Sequence, residues 1–136
     1  MVTRLPTLQE IDELVSFRER LYATGFAPIR RWRGADLDPD DARTLPWPEY
    51  QEIVPEFFRA AGKECWSDYD YRHDDAGHLL MDEATVRTAD LAQIKSLLTY
   101  CVRGERSCEG HWAAMIEGGQ VRRLLDRLAE LRSEIG

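Results

Sequence analysis

The chain has 136 residues, of which 43% are hydrophobic and 32% are charged, and its formal net charge is −7. This length fits a single domain, residues 1–136, that can bury a core without disulfides or a structural metal. The negative charge argues against tight sequence-independent binding to nucleic acid or to anionic lipid, because both require a positive surface. No apolar run is long enough for a secretion signal or a membrane span.

The three cysteines are Cys65, Cys101 and Cys108. An odd number of cysteines without a framework spacing is typical of a reducing compartment, where thiols stay free. We therefore expect a cytoplasmic location.

The N-terminal third contains one helix signal and two strand signals. Thr7 and Glu10 fit a capping box, and the apolar spacing after them predicts a helix over residues 8–23 that ends at Gly25. Residues 26–33 alternate loosely and predict a short strand with Pro28 at its start or on an edge. The acidic residues 36–41 predict a turn, and the prolines of residues 45–50 predict an extended segment that can pair with the first strand.

The middle third gives weaker patterns. Pro55 suits the first turn of a helix, so we expect a short helix over residues 55–61 that ends at Gly62. Residues 65–71, with their three aromatic side chains, predict a third strand. Residues 72–80 are polar and include Gly77, whereas residues 82–88 predict a helical turn.

The C-terminal half is helical by its periodicity. Asp90 and Gln93 cap a helix whose apolar stripe continues to Gly104. A polar turn over residues 105–108 precedes a short helix that ends at Gly118 and Gly119. A last helix spaces its apolar residues alternately by three and four positions; they are Val121, Leu124, Leu128, Leu131 and Ile135.

These elements predict an α+β fold that is mostly helical, with a helical C-terminal half and a small sheet of short strands. An all-α fold is the alternative. The apolar seam of the last helix either closes the core or meets a second subunit, and the latter predicts a homodimer.

The common metal and cofactor motifs are incomplete. Asp36, Asp38 and Asp40 imitate the start of a calcium loop, but its glycine and its bidentate acid are replaced by Asp41 and Trp47. Cys108 and His111 could supply soft ligands for zinc, yet the spacing is not a repeated pair. The dinucleotide, nucleophile-elbow and zinc-protease motifs are missing. We therefore predict no metal and no cofactor.

The richest candidate site is the connection between two predicted helices. Arg103 and Arg106 can clamp a carboxylate or phosphate, while Glu109 and His111 add an acid and a group that titrates near neutral pH. The alternative is ordinary helix-end chemistry, with Arg103 at the end of one helix and Glu109 at the start of the next.

A second candidate is the aromatic and acidic segment that contains Trp66, Asp68 and His73. Its carboxylates and histidine could line a polar pocket suited to acid–base work. The alternative is a solvated strand and loop whose tyrosines pack inward.

The C-terminal half also carries a resemblance. The run Leu97-Leu98-Thr99, followed by Arg103-Gly104-Glu105-Arg106-Ser107-Cys108-Glu109-Gly110-His111, resembles the C-terminal motif of a bacterial family known only as a domain of unknown function. The likeness extends loosely over most of the chain and departs from the expected pattern at Ser107. It implies membership of an uncharacterised family and carries no activity with it.

Three functions remain open. The apolar pattern predicts a well-packed core, but no complete set of catalytic residues is present. This combination favours a binding or regulatory domain whose ligand is a small anion. A small enzyme acting on an anionic or nucleotide-like substrate, and a homo-oligomeric structural or interaction protein, are the alternatives.

Overall fold

The structure is a computed structural model, and it describes residues 5–34 and 46–135. The α-helices of this part are α1 (Leu8–Val15), α2 (Arg18–Leu21), α3 (Ile53–Ala61), α4 (His73–Met81), α5 (Glu83–Arg87), α6 (Leu91–Arg103), α7 (His111–Glu117) and α8 (Gln120–Ile135). Single 3-10 turns occupy Glu64–Trp66 and Gly104–Arg106. The acidic run at residues 36–41 lies outside the described residues.

Two antiparallel strands, β1 (Ile29–Arg33) and β2 (Trp47–Tyr50), form the small sheet. Ile29 lies opposite Tyr50, and Arg33 lies opposite Trp47. The predicted pairing of the two N-terminal extended segments is therefore confirmed, and so is the mostly helical α+β class.

The helix predicted over residues 8–23 is interrupted. Its capping box is present, since the Glu10 N–H donates to Thr7 Oγ1 over 3.2 Å and Glu10 Oε1 accepts from the Thr7 N–H over 2.8 Å. Beyond Val15 the backbone tightens, because the Phe17 N–H donates to the carbonyl of Leu14, three residues earlier. This turn leaves the Phe17 ring edge-on to Phe57, with centroids 5.5 Å apart, and α2 follows as a separate helix.

The strand predicted over residues 65–71 is wrong. Cys65 and Trp66 lie in a 3-10 turn and are buried in the core. The Asp68 N–H then donates to the hydroxyl of Thr99 on α6 over 2.9 Å, so the following backbone is tied to a helix and not to a strand partner. The aromatic pattern reflects packing against α6.

The polar segment before Met81 forms α4. Ala76 and Leu80, four residues apart, are buried on one face, which is enough to seat a short helix. Gly77 lies under the ring of Tyr100, where a Cβ atom would come within 3.0 Å of that ring. Long-range packing therefore overrides a weak local pattern.

The strongly periodic helices are confirmed. The Asp90–Gln93 capping box begins α6, and both of its hydrogen bonds measure 2.8 Å. Helix α8 buries Val121, Leu124, Leu125, Leu128 and Leu131. Nearly all buried apolar side chains of the described residues form one cluster, with α6 and α8 contributing much of it.

Helix α8 also pairs with the N-terminal helices. Arg132 contacts Asp12, and Arg18 contacts Asp126, each over 2.9 Å. The order of these contacts makes the segment formed by α1 and α2 antiparallel to α8. Within the described residues, no helix has the length and apolarity that crossing a bilayer requires.

Candidate functional site

Helix α6 brings the two predicted site segments together. The ring of Tyr100 lies between His73 from one segment and His111 from the other, at centroid distances of 4.6 and 5.2 Å. One turn further along, the guanidinium carbon of Arg103 lies 5.1 Å from the ring centroid of Tyr71. Segments 66–73 and 103–111 are therefore neighbours across the C-terminal end of α6.

A cleft opens at this junction, with a volume of about 220 Å3. We call it the arginine cleft; its lining residues are Ala61, Gly62, Ser67, Tyr69, Thr99, Val102, Arg103 and Arg106. Two cationic groups face it, whereas none of these eight residues is acidic. The arginine cleft is thus a locally positive part of a protein whose net charge is −7.

Among the described residues, no acidic side chain neutralises the two guanidiniums of the cleft. In residues 5–34 and 46–135, neither Arg103 nor Arg106 forms an ion pair. Arg103 instead contacts two tyrosine rings, with its guanidinium carbon 6.0 Å from the centroid of Tyr69 and closer to Tyr71. Aromatic contacts orient a guanidinium and leave its N–H donors available.

The predicted site residue Asp68 positions the wall of the cleft. Its carboxylate accepts hydrogen bonds from the Ser96 hydroxyl and from the Asp70 N–H, while its own N–H donates to Thr99. The Thr99 hydroxyl donates to the carbonyl of Lys95 over 2.8 Å. These bonds hold the backbone on both sides of Tyr69 against α6.

Glu105 is a central residue that sequence reasoning missed. Its carboxylate accepts hydrogen bonds from the Tyr50 hydroxyl at 2.9 Å, from the Gly110 N–H at 3.0 Å and from the Trp112 N–H at 2.8 Å. Burial and the bond to Glu105 raise the pKa of Tyr50 above its usual range. The carboxylate therefore caps α7 and fastens the sheet to the 104–111 turn.

The sheet also covers this turn from outside. Gly110 has φ +91°, a left-handed conformation that favours glycine, and the ring of Trp32 lies directly against it. Trp32 itself remains half-exposed. The turn is thus held by β1 on one side and by α6 on the other.

His111 is turned inward and does not line the arginine cleft. Its side chain is buried, and its Nε2 atom has no hydrogen-bond partner among the described residues. Burial lowers the pKa of His111, and the charge of Glu105 partly opposes this effect. Close packing against Gly104 and Tyr100 makes the imidazole part of the turn's interior.

The remaining predicted site residues are dispersed. Trp66 is a core side chain, and Glu109 is exposed in the turn. His73 is exposed, with Nδ1 3.5 Å from the Tyr71 hydroxyl. The predicted segments therefore meet, but only Arg103 and Arg106 among the predicted residues line the cleft.

The thiols and histidines do not assemble into a ligand set. Across the described ranges, no group of three or more His, Cys, Asp or Glu side chains could hold a metal ion. Cys65 and Cys101 are buried and Cys108 is exposed. Burial raises the pKa of Cys101 to about 12, which keeps this thiol protonated and unreactive.

A second cleft, of about 270 Å3, lies between α5 and α8. Its lining residues are Glu83, Val86, Arg87, Arg123, Asp126, Arg127 and Glu130. Here the charges pair with each other, since Arg123 contacts Glu83 and Arg127 contacts Glu130, each over 3.0 Å. This cleft is close to neutral and has less attraction for an anion.

Comparison with known proteins gives a family and no activity. No curated protein and no solved structure shows significant similarity to the chain. The model of a family of unknown function, DUF6508, matches residues 6–134, which include every helix from α1 to α7 and nearly all of α8. The chain therefore belongs to this family of unknown function.

Proposed function

We propose that this protein is a small cytoplasmic binding or regulatory domain whose arginine cleft takes a small anionic ligand. The observation that carries the proposal is the pair of guanidiniums of Arg103 and Arg106, which form no ion pair within the described residues. They lie in a cleft to which the described part of the chain contributes no acidic lining residue. In an acidic protein, such a depression concentrates positive potential at one place.

The chemistry of the cleft favours an anion. Guanidinium groups bind carboxylates and phosphates through charged, directional hydrogen bonds. The hydroxyl proton of Thr99 is already donated to Lys95, and that of Ser67 is directed to the backbone carbonyls of residues 62 and 63. The arginines are therefore the principal donors for a ligand.

The size of the cleft favours a small ligand group. Its volume of about 220 Å3 lies below the range of roughly 300–1,000 Å3 that is usual for drug-sized ligands. A phosphate or carboxylate with a short attachment fits this volume.

Binding without reaction is better supported than catalysis. A general acid or base must reach the reacting group within hydrogen-bond distance. Neither His73 nor His111 lines the cleft, and Asp68 is bonded to Ser96 and to the backbone of Asp70. An enzyme acting on an anionic substrate would need another group to enter the site.

Isothermal titration calorimetry with inorganic phosphate, sugar phosphates, nucleotides and carboxylates tests the proposal. We expect at least one of these anions to bind the wild type and to lose most of its affinity in Arg106→Gln. Arg59→Gln is the matched control, because Arg59 is exposed on neighbouring α3 and does not line the cleft. Equal loss in both variants, or no binding by the folded wild type, would contradict the proposal.

Assembly through α8 has less support. Leu124, Leu128 and Leu131 of the predicted seam are already covered within one chain, whereas Ile135 stays exposed. A homodimer therefore needs another surface, and sedimentation at high concentration measures whether a dimer forms.

We also propose that the protein is of bacterial origin, and that Arg-x-x-Arg-x-Cys-Glu-Gly-His is a sequence motif of its family.

A further inference from the structure

We infer that the ligand of the arginine cleft carries a planar aromatic ring next to its anionic group, and that Tyr69 is the surface on which this ring stacks. This inference rests on the proposed function, since it names the class of ligand for the same cleft.

Tyr69 is the aromatic residue among those that line the cleft, and its side chain is 61% exposed. Among the described residues no other aromatic ring contacts Tyr69, and the Arg103 guanidinium carbon lies 6.0 Å from the centroid of its ring. The neighbouring aromatic side chains behave differently: Trp66 is buried and Tyr71 is half-buried against the core. A large exposed ring beside a cationic cleft has a free face to offer a ligand.

The backbone on both sides of Tyr69 is fixed. The Asp68 N–H is bonded to Thr99, and the Asp70 N–H is bonded to the Asp68 carboxylate over 3.0 Å. A surface that is already ordered loses little conformational entropy when a ligand binds. The backbone that carries Tyr69 is therefore preorganised, although its ring faces solvent.

The placement of the two functional groups sets the shape of the ligand. Arg103 contacts the Tyr69 ring, and both side chains line the cleft, so an anion held by Arg103 leaves its attached group beside that ring. The cleft is too small to enclose a nucleotide, and the ring must lie at its mouth. Aromatic groups stack favourably on tyrosine and tolerate exposure on one side.

A pair of matched ligands isolates the contribution of the ring. Ribose 5-phosphate and adenosine monophosphate share a phosphate and a sugar and differ by the base. In calorimetric titrations we expect the wild type to bind the nucleotide about 3- to 10-fold more tightly. Tyr69→Ala should remove this preference, and Tyr69→Phe, which keeps the ring, should retain it. Acetate and benzoate form a second pair, which distinguishes an aromatic carboxylate from a nucleotide.

The possible outcomes distinguish ring stacking on Tyr69, which is the inference, from anion binding in the arginine cleft, which is the proposed function. A ring preference in either ligand pair that is lost in Tyr69→Ala and kept in Tyr69→Phe supports the inference. Equal affinity within both pairs, unchanged in Tyr69→Ala, overturns it and leaves anion binding intact. If neither pair binds the folded wild type, the proposed function fails and the inference fails with it. Circular dichroism verifies that each variant is folded.

Discussion

The imidazole of His111 occupies the position that a Cβ atom on residue 104 would need. Gly104 has φ −59°, an ordinary helical value, so the glycine is required for space and not for backbone freedom. The sequence predicted that Gly104 ends α6. In the structure the chain continues there into a 3-10 turn, and the missing side chain admits the ring of His111.

We expect Gly104→Ala to destabilise the protein by about 1–3 kcal/mol, the usual cost of overpacking a filled interior. The free energy of unfolding in urea measures this effect. In the double variant Gly104→Ala/His111→Ala the obstructing ring is removed, so the combined loss should be smaller than the sum of the single losses. Additive losses would show that the two positions do not compete for space.

His111 should make stability depend on pH. Its pKa in the folded state is lowered, mainly by burial, so below the unfolded value of ~6.5 the unfolded chain takes up a proton that the folded chain does not. The contribution of His111 is therefore present above that pH and is lost as the pH falls from about 7 toward the folded pKa.

The effect of His111 is isolated by comparing wild type with His111→Gln in urea at about pH 7.5 and pH 5.5. The wild type should lose more stability than the variant over this interval, by at most about 1.4 kcal/mol, because pH 5.5 lies one unit below the unfolded pKa. Since Glu105 and His73 also act on this ring, the variant provides the baseline for the other groups. Parallel losses in both proteins would contradict the assignment.

Glu105→Gln should cost about 1–3 kcal/mol. The amide group cannot accept hydrogen bonds at both of its heavy atoms, so at least one donor among Tyr50, Gly110 and Trp112 loses its partner. Glu109→Gln is the control, since that side chain is exposed. If the two variants unfold at the same urea concentration, Glu105 does not hold the turn.

Leu128→Ala should destabilise the protein by about 2–5 kcal/mol, because Leu128 is fully buried. Ile135→Ala, at an exposed position of the same helix, should change the free energy of unfolding by less than about 1 kcal/mol. Equal effects at the two positions would place the buried face of α8 elsewhere.

The parts of the fold that were predictable have local causes. Capping boxes at Thr7 and Asp90 and the long apolar stripe of α6 determine where those helices start and which side is buried. Helix α4 was not predictable in this way, because its local sequence is polar and Gly77 packs against Tyr100, a residue of the distant helix α6.

In the candidate site, too, the features with local causes were predictable and those that depend on distant residues were not. Arg103 and Arg106 lie three residues apart near the end of a predictable helix, and the sequence could place them together. The role of Glu105 depends on Tyr50, which is 55 residues away, and the exposure of Tyr69 depends on how Asp68 meets Thr99. Such long-range partners leave no periodic pattern in the sequence.

The pairing of α1 with α8 has a kinetic consequence. Asp12 on α1 is 120 residues from its partner Arg132, and Arg18 on the following helix α2 is 108 residues from Asp126, so docking the N-terminal helices on α8 closes a loop of most of the chain. Closing such a loop costs entropy before any contact compensates for it, and we expect α1 to dock late in folding, after α6, α7 and α8 have packed locally. A substitution such as Leu14→Ala should then accelerate unfolding and leave the folding rate almost unchanged. The strength of the α1–α8 contact therefore determines how fast the native protein unfolds, and hence how long it lasts.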